Sequence, residues 1–379
     1  MDFDFSPAQK ARYADLVDGA RALADRTGPA PDGTFDRDRW KALADLGVLG
    51  LSIPRDHGGS GLGAVDTAHA LEAVGYGCPD TGLVFAASAH LLACAMPIVL
   101  HGTPVARERL LPRLADGSLV AGNAVTEPKH GSDVSIPDTR VVADSDGLRV
   151  TGVKSYVSNG PVADLYVVLG TADPALGFLG TVAVVVDRAQ PGVRPGPAFA
   201  KMGLRSCLAG GVEFDGAHAP ADQRLGASGA GHAVFQDSMR WERTCLFAGY
   251  VGMLRRQFEL CRDFARERRQ FGRPISANQA VSHRLVGMYA RWHSARLALY
   301  KACWSLDRDA TETTEIALAK IAVSEAAVAS SLDALQIFGG AGYRSDTGVE
   351  EMLRDAVPTT VFSGTSEMQR EMIARELQL

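Results

Sequence analysis

No Cys-x-x-C pair occurs in the 379 residues, and the six cysteines, Cys78, Cys94, Cys207, Cys245, Cys261 and Cys303, are scattered along the chain. That spacing argues against a disulfide framework or a zinc site and fits a reducing compartment; no metal is expected. Basic excess is missing too: 39 Lys and Arg face 44 Asp and Glu, for a net charge of -5. With both signs interspersed there is no broad positive face to neutralise a phosphate backbone, so nucleic acid is not an expected partner. The acidic start, Met1-Asp-Phe-Asp-Phe5, lacks the basic segment and apolar run of a secretory signal. The longest apolar stretch, Leu83 to Leu100, is interrupted by Ser88, His90 and Pro97 and reads as buried helix rather than membrane span. A cytoplasmic protein without membrane contact is expected. Internal repeats and low-complexity tracts are also lacking.

A chain of 379 residues exceeds the usual single domain of about 100 to 200 residues, so two or three domains are expected. From Ser6 to about Leu114 the pattern is helical, with apolar residues at three-to-four spacing over Ala8 to Ala24, Phe35 to Leu46, Ala64 to Tyr76, Gly82 to Leu100 and Val105 to Leu114. Near Gly117 the texture changes to short β-branched runs: Val141 to Val142, Leu148 to Tyr156, Ala163 to Gly170, Thr181 to Asp187 and Gly211 to Phe214. No helical crossovers lie between them, which excludes a parallel dinucleotide fold and predicts a small antiparallel barrel or sandwich. After Gly231 helices return over His232 to Arg269, Ala277 to Asp307, Glu312 to Phe338 and Glu367 to Leu377, a pattern that predicts a four-helix bundle. The textures divide the chain at 1–118, 119–228 and 229–379, a mainly α protein with a central β domain.

Three segments offer chemistry. Thr126-Glu-Pro-Lys-His-Gly-Ser-Asp133 presents hydroxyls and free amides at one turn, suited to a heteroaromatic ring edge or a pyrophosphate, or else it is a turn capped by Ser132 and Asp133. Gly152-Val-Lys-Ser-Tyr-Val-Ser-Asn-Gly160 reads as a strand entering a turn. Tyr156 and Ser158, two apart, would share a face that can lie against a flat cofactor; a plain hairpin would look the same. Arg266-Glu-Arg-Arg-Gln-Phe-Gly-Arg273, followed by Gln279, is either an anion site built on guanidinium forks or a solvated charged face.

Together with Lys201-Met-Gly-Leu-Arg205, Gln336-Ile-Phe-Gly-Gly340, Arg354-Asp355 and Gly364-Thr-Ser-Glu-Met-Gln-Arg370, these segments follow the order and spacing of a known family. Over essentially its whole length the chain resembles the acyl-CoA dehydrogenases. The resemblance implies a helical, β-barrel, helical-bundle layout, an FAD cofactor, and α,β-dehydrogenation of an acyl thioester. Thr126, Gly131 and Ser132 would support the flavin and its diphosphate. Tyr156 and Ser158 stand where the family has Trp and Thr beside the flavin ring. Arg268, Gln270, Phe271, Gln336 and Gly340 would reach the nucleotide of a neighbouring subunit, Gln279 would also bind the cofactor, and Thr365 and Glu367 would touch the flavin nucleotide near the chain's end. A homodimer or homotetramer, and an electron-transfer flavoprotein or similar acceptor, are implied as partners.

Two departures matter. Many family members carry the catalytic base as Glu in a Tyr-Glu-Gly-Thr sequence, whereas here Val361-Phe-Ser-Gly-Thr365 places Ser363 at that position, and an unaided hydroxyl cannot accept an α proton. Members resembling isovaleryl- and long-chain acyl-CoA dehydrogenases take the base from a helix, immediately before an arginine. Trp241-Glu-Arg243 puts Glu242 there, although Glu-Arg also occurs in members that keep the other base, where it is a structural pair. Arg243 matches a contact to the CoA portion, and the amide of Ser363 matches a contact to the thioester carbonyl. Met239 and Arg240 replace the usual Leu-Asp pair, so an acyl carrier protein thioester stands beside acyl-CoA as substrate. A flavin monooxygenase on the same fold, or a scaffold that has lost its base, are the rival readings.

Overall fold

Among the described residues, the N-terminal third holds six α-helices: α1 (Pro7–Thr27), α2 (Arg37–Asp45), α3 (Ala64–Gly77), α4 (Thr81–Ala89), α5 (Met96–His101) and α6 (Pro104–Ala115). The structure, a computed structural model, describes residues 4–27, 34–308 and 313–379, so expectations placed on Met1 to Phe3 and on Glu312 lie outside the described residues. Local chemistry sets the helix starts: Asp36 accepts from the amides of Asp38 and Arg39, Asp80 from that of Leu83, and Thr103 from that of Ala106 ahead of Pro104. α4 runs through a π turn (His90–Ala95) into α5. Its residues up to Ile98 are buried on every side, so the apolar stretch is a core helix of the protein itself. At the π turn, His90 bonds the Leu114 carbonyl at 3.0 Å and the Ala121 amide at 3.1 Å. Burial lowers its pKa to about 4, so the ring stays neutral.

The central region forms one eight-stranded sheet from β1 (Ala121–Ala124), β2 (Arg140–Asp144), β3 (Gly147–Ser158), β4 (Leu165–Thr171), β5 (Thr181–Asp187), β6 (Val193–Ala198), β7 (Ala209–Pro220) and β8 (Arg224–Leu225). The order is β6-β7-β3-β2-β4-β5-β8, with β1 beside β4. Alternation along β4 divides its side chains: Tyr166 and Val168 join a sheet core with Val150, Val184 and Phe214, while Leu165 and Val167 join the helical core. The sheet is not wholly antiparallel as expected, because β1 pairs β4 in parallel and β2 touches β4 in parallel. The β2–β3 hairpin serves as the connection between parallel partners that a helix would otherwise make. Strand β1 (Ala-Gly-Asn-Ala) carries no β-branched residue, β6 contains Pro195 and Pro197 and lies at the sheet edge, and β8 has two residues, which is why periodicity misses all three.

The C-terminal part contains α7 (Gly231–Trp241), α8 (Ala248–Glu267), a hairpin of β9 (Arg269–Gln270) and β10 (Arg273–Pro274), α9 (Gln279–Leu306), α10 (Thr313–Phe338), α11 (Val349–Ala356) and α12 (Ser366–Glu376). α10 packs against α8, α9 and α12 as the centre of a bundle. The single helical stretch expected from His232 to Arg269 is instead broken by a second π turn, Glu242–Leu246. The Thr244 hydroxyl donates to the carbonyls of Arg240 (2.7 Å) and Trp241 (3.2 Å), supporting the widened turn. α3 crosses α8 at glycine: a Cβ on Gly75 would lie 2.1 Å from the Gly249 carbonyl oxygen, and one on Gly252 at 2.1 Å from that of Glu72. This backbone contact merges the first and last helical regions into one core that includes Leu16, Leu71, Phe247 and Leu299.

Candidate active site

The two π turns are in contact, and the second presents Glu242. Its side chain is 8% exposed; Oε1 accepts a short hydrogen bond from the Ser363 hydroxyl, while the buried Oε2 has no partner among the described residues. Burial raises the carboxyl pKa, and the Ser363 bond and the Arg243 charge oppose that rise. Arg243 turns to the same turn of chain and donates from Nε to the Ser363 carbonyl at 2.9 Å. Ser363 itself is held at φ 56, in the left-handed region, with Gly364 at φ 86 after it. Gln369 Nε2 closes on the carbonyls of Gly364 (3.3 Å) and Ser363 (3.5 Å). Thr365 caps α12 by accepting from the Met368 amide at 3.2 Å, and Glu367 is exposed in the first turn of that helix. The structure thus joins Glu242 and Arg243 to Ser363 and Thr365, four residues chosen from two separate motifs.

The loop after β1 and the end of β3 are stitched together by a pair that sequence reading passed over. Buried Lys154 donates to Glu127 Oε1 at 2.8 Å and to the Val125 carbonyl at 2.9 Å. Glu127 also accepts from the amides of Asp138 (2.7 Å) and Thr139 (2.8 Å), and Ser155 N bonds the Thr126 carbonyl at 2.8 Å. Burial pushes the Lys154 pKa down to about 8, against the pull of Glu127. Glu127, His130 and Asp138 approach within 4.8 Å of one another, and the Glu127 carboxylate in this group is the one that Lys154 and the two amides hold. A fully buried lysine inside a strand was the available signal for the stitch, since such a charge demands a carboxylate.

Around this clamp, Thr126 and Ser158 are half-buried and Gly131 and Ser132 are exposed. The capped-turn reading holds for Asp133, whose Oδ1 accepts from the Ser135 amide at 3.1 Å, whereas among the described residues no partner holds the Thr126 or Ser132 hydroxyl. Tyr156 does not follow simple strand alternation. A bulge between Lys154 and Val157 gives it φ 55 and leaves its ring 70% exposed, 5.6 Å from Phe199. Just beyond, Asn159 Nδ2 donates to the carbonyls of Ala86 on α4 (3.1 Å) and Ala121 (3.3 Å). The neighbouring α4 residue, Phe85, packs on Phe362, so α4 connects the Tyr156–Ser158 strand end to Ser363. The loop Lys201 to Arg205 meets Arg354–Asp355: Leu204 N donates to Asp355 at 2.5 Å, and Arg354 to the Met202 carbonyl at 2.9 Å.

A free hydroxyl pair, an open loop and an uncovered aromatic ring on a rigid strand end form a cradle that fits a flavin and its diphosphate. The second set of residues is apart from it. Arg268, Gln270, Phe271 and Gln279 are exposed on and around the β9–β10 hairpin, with Phe271 98% exposed, and Gln336 and Gly340 are exposed at the end of α10. Phe264 stacks on Phe338 at 4.0 Å and holds these two places side by side. They stand at the far end of α8, roughly 35 to 40 Å from Glu242 at 1.5 Å per helical residue, and do not join it within one chain.

With this geometry in view, the chain matches three successive regions of one family: the acyl-CoA dehydrogenase N-terminal domain over residues 16–118, middle domain over 122–217 and C-terminal domain over 229–378. It belongs to the acyl-CoA dehydrogenase family and is an FAD-dependent oxidoreductase that dehydrogenates an acyl thioester. It is 48% identical, over the full length of both chains, to the L-prolyl-[peptidyl-carrier protein] dehydrogenase of Pseudomonas fluorescens. Its fold is similar to PigA with FAD and proline (TM-score 0.95, 36% identity, all of both chains) and to the prolyl acyl carrier protein oxidase AnaB (TM-score 0.94, 36% identity, 99% of this chain and 100% of that one).

Proposed function

We propose that this chain oxidises an L-prolyl group held as a thioester on a peptidyl carrier protein, with Glu242 as the base. The carrying observation is the buried Glu242 carboxylate, fixed through Oε1 by Ser363 and free at Oε2. A raised pKa makes that oxygen a stronger base for a proton on the carbon next to the thioester carbonyl. The α hydrogen leaves as a proton to Glu242 and the β hydrogen as a hydride, giving a 2,3-dehydroprolyl thioester. FAD, when bound, is the two-electron acceptor for that hydride. Arg243 holds the Ser363 carbonyl and so orients the 363–364 backbone, whose Ser363 amide is the donor for the thioester oxygen as its charge grows.

Thr126, Gly131, Ser132, Tyr156 and Ser158 hold the flavin of their own chain, with Thr365 and Glu367 near it. Arg268, Gln270, Phe271, Gln279, Gln336 and Gly340 serve that of a second copy in a homodimer or homotetramer, in keeping with their exposure and their distance from Glu242. An electron-transfer flavoprotein or similar acceptor reoxidises the enzyme. Six buried, unpaired cysteines agree with a cytoplasmic setting. The prolyl carrier substrate is supported by the names of full-length relatives and by Arg240 standing in place of the acidic residue usual before the base. A monooxygenase needs no α-proton base, and the poised Glu242 speaks against that reading.

The test is anaerobic mixing of the yellow protein with L-prolyl-carrier protein, L-prolyl-CoA and straight-chain acyl-CoAs while flavin absorbance is followed. Bleaching by the prolyl carrier thioester ahead of the others is expected; an intact spectrum with that substrate would overturn the proposal.

A further inference from the structure

A cavity of about 300 Å³ opens where α1, α3, α8 and α9 converge, and none of the residues that meet at Glu242 lines it. Its size is at the small end of the roughly 300 to 1,000 Å³ that small-molecule sites occupy. Its most buried charge is Glu72 of α3, 1% exposed. Arg296 of α9 donates from Nε to Glu72 Oε1 (2.8 Å) and Oε2 (3.1 Å), and the Tyr300 hydroxyl donates to Oε2 at 2.5 Å. Arg296 uses Nε alone there, and among the described residues its two terminal nitrogens have no hydrogen-bond partner. Arg255 of α8 holds Glu259 through Nε at 3.0 Å and the Tyr13 hydroxyl through Nη1 at 3.4 Å, which leaves Nη2 without a partner among the described residues. Rings complete the lining: Trp292 lies 4.5 Å from His293 and 6.0 Å from the Arg255 guanidinium, and Tyr13 lies 4.8 Å from His69.

We propose that this cavity binds a small planar carboxylate, its charge held by the free guanidinium edges of Arg255 and Arg296 and its flat body by the Tyr13 and Trp292 rings. The site stands apart from the thioester chemistry and does not depend on it. Three cations, Lys10, Arg255 and Arg296, line the cavity with one carboxylate. Asp4 and Glu259 pair with Lys10 and Arg255 at the edge, where their side chains are 88% and 27% exposed and solvent screens them, while the buried Glu72 is matched by Arg296. The excess suits one negative charge; a second would meet Glu72. Burial first, then the Arg296 charge, lowers the His69 pKa to about 4, so this ring adds an aromatic face and no charge at neutral pH. A guanidinium edge offers parallel N–H donors that match the two oxygens of a carboxylate, and aromatic walls favour a flat ring behind it.

Titration calorimetry on the FAD-loaded protein compares benzoate with benzamide, which has the same ring and no charge, and with inorganic phosphate at matched ionic strength. Benzoate is expected to bind at millimolar concentration, and the other two at least about tenfold more weakly, the factor for losing one charge-assisted hydrogen bond. Arg255→Gln should weaken benzoate by a similar factor and leave the flavin spectrum unchanged. Lys10→Met, at the exposed rim, carries the same readout with a smaller weakening if the glutamine variant does not fold. Absence of benzoate binding, binding no tighter than that of benzamide, or equal binding by wild type and every folded variant, as a benzoate beside Glu242 would give, overturns the site. Phosphate bound as tightly as benzoate overturns the assignment to a planar carboxylate.

Discussion

The Ser363 hydroxyl donates to Oε1 of Glu242, so the residue standing where many family members carry a glutamate base now serves a carboxylate on another helix. A serine there cannot take the α proton. It can fix which carboxylate oxygen stays free, and it stabilises the charged form.

Removing that bond tests the arrangement. A hydrogen bond to a charged group contributes about 1.5 to 3 kcal/mol, which corresponds to about one to two pKa units. The Glu242 pKa is already raised by burial, with Ser363 pulling it down, so Ser363→Ala should raise it further. Activity needs the carboxylate and is lost as pH falls through this pKa. The acid limb of kcat/KM should therefore move up by about one unit in the variant, with roughly tenfold lower activity on that limb and a similar alkaline plateau. An unmoved limb would separate Ser363 from the base.

Glu242→Gln keeps the shape of the side chain and removes its basicity. The rate of flavin reduction should drop by roughly 10²- to 10⁴-fold while bound FAD keeps its spectrum. A variant as fast as wild type would show that the proton goes elsewhere.

Much of this was legible because periodicity and turn chemistry agree over long stretches. α3, α6, α9, β4 and β5 fall close to where apolar spacing puts them, and the base candidate followed from one missing glutamate. The π turns were not legible: at Glu242–Leu246 the hydrophobic pattern continues across the break, and the widened turn depends on Thr244 and on the opposing helix. Tyr156 was placed by the two-residue strand period, which a bulge defeats. The Glu127–Lys154 stitch joins segments 27 residues apart and becomes visible only when the strand is folded beside its loop.

That stitch predicts a stability defect with a functional shadow. Lys154→Met fills the same space but leaves the Glu127 carboxylate buried without its cation, a loss of about 3 to 5 kcal/mol. Chemical denaturation should show that drop, and the purified variant should retain less FAD because the Thr126 loop loses its anchor. Unchanged stability would mean that the two Glu127 amide donors suffice.

Asp355 gives the fold a pH dependence of its own. Its carboxyl is 4% exposed, accepts from the Leu204 amide and has its pKa raised to about 7, chiefly by burial and then by Glu351 and Asp80, against the ordinary 3.8. A folded-state pKa above the unfolded one contributes stability that is complete below about pH 4 and is lost as pH rises through about 7. Asp355→Asn keeps an oxygen for the Leu204 amide and cannot ionise. Its stability relative to wild type should therefore rise between pH 5 and 8, by an amount on the order of 2 to 4 kcal/mol. Melting curves of both proteins across that range decide it: a gap that widens with pH places the buried charge at Asp355, and parallel curves place it elsewhere.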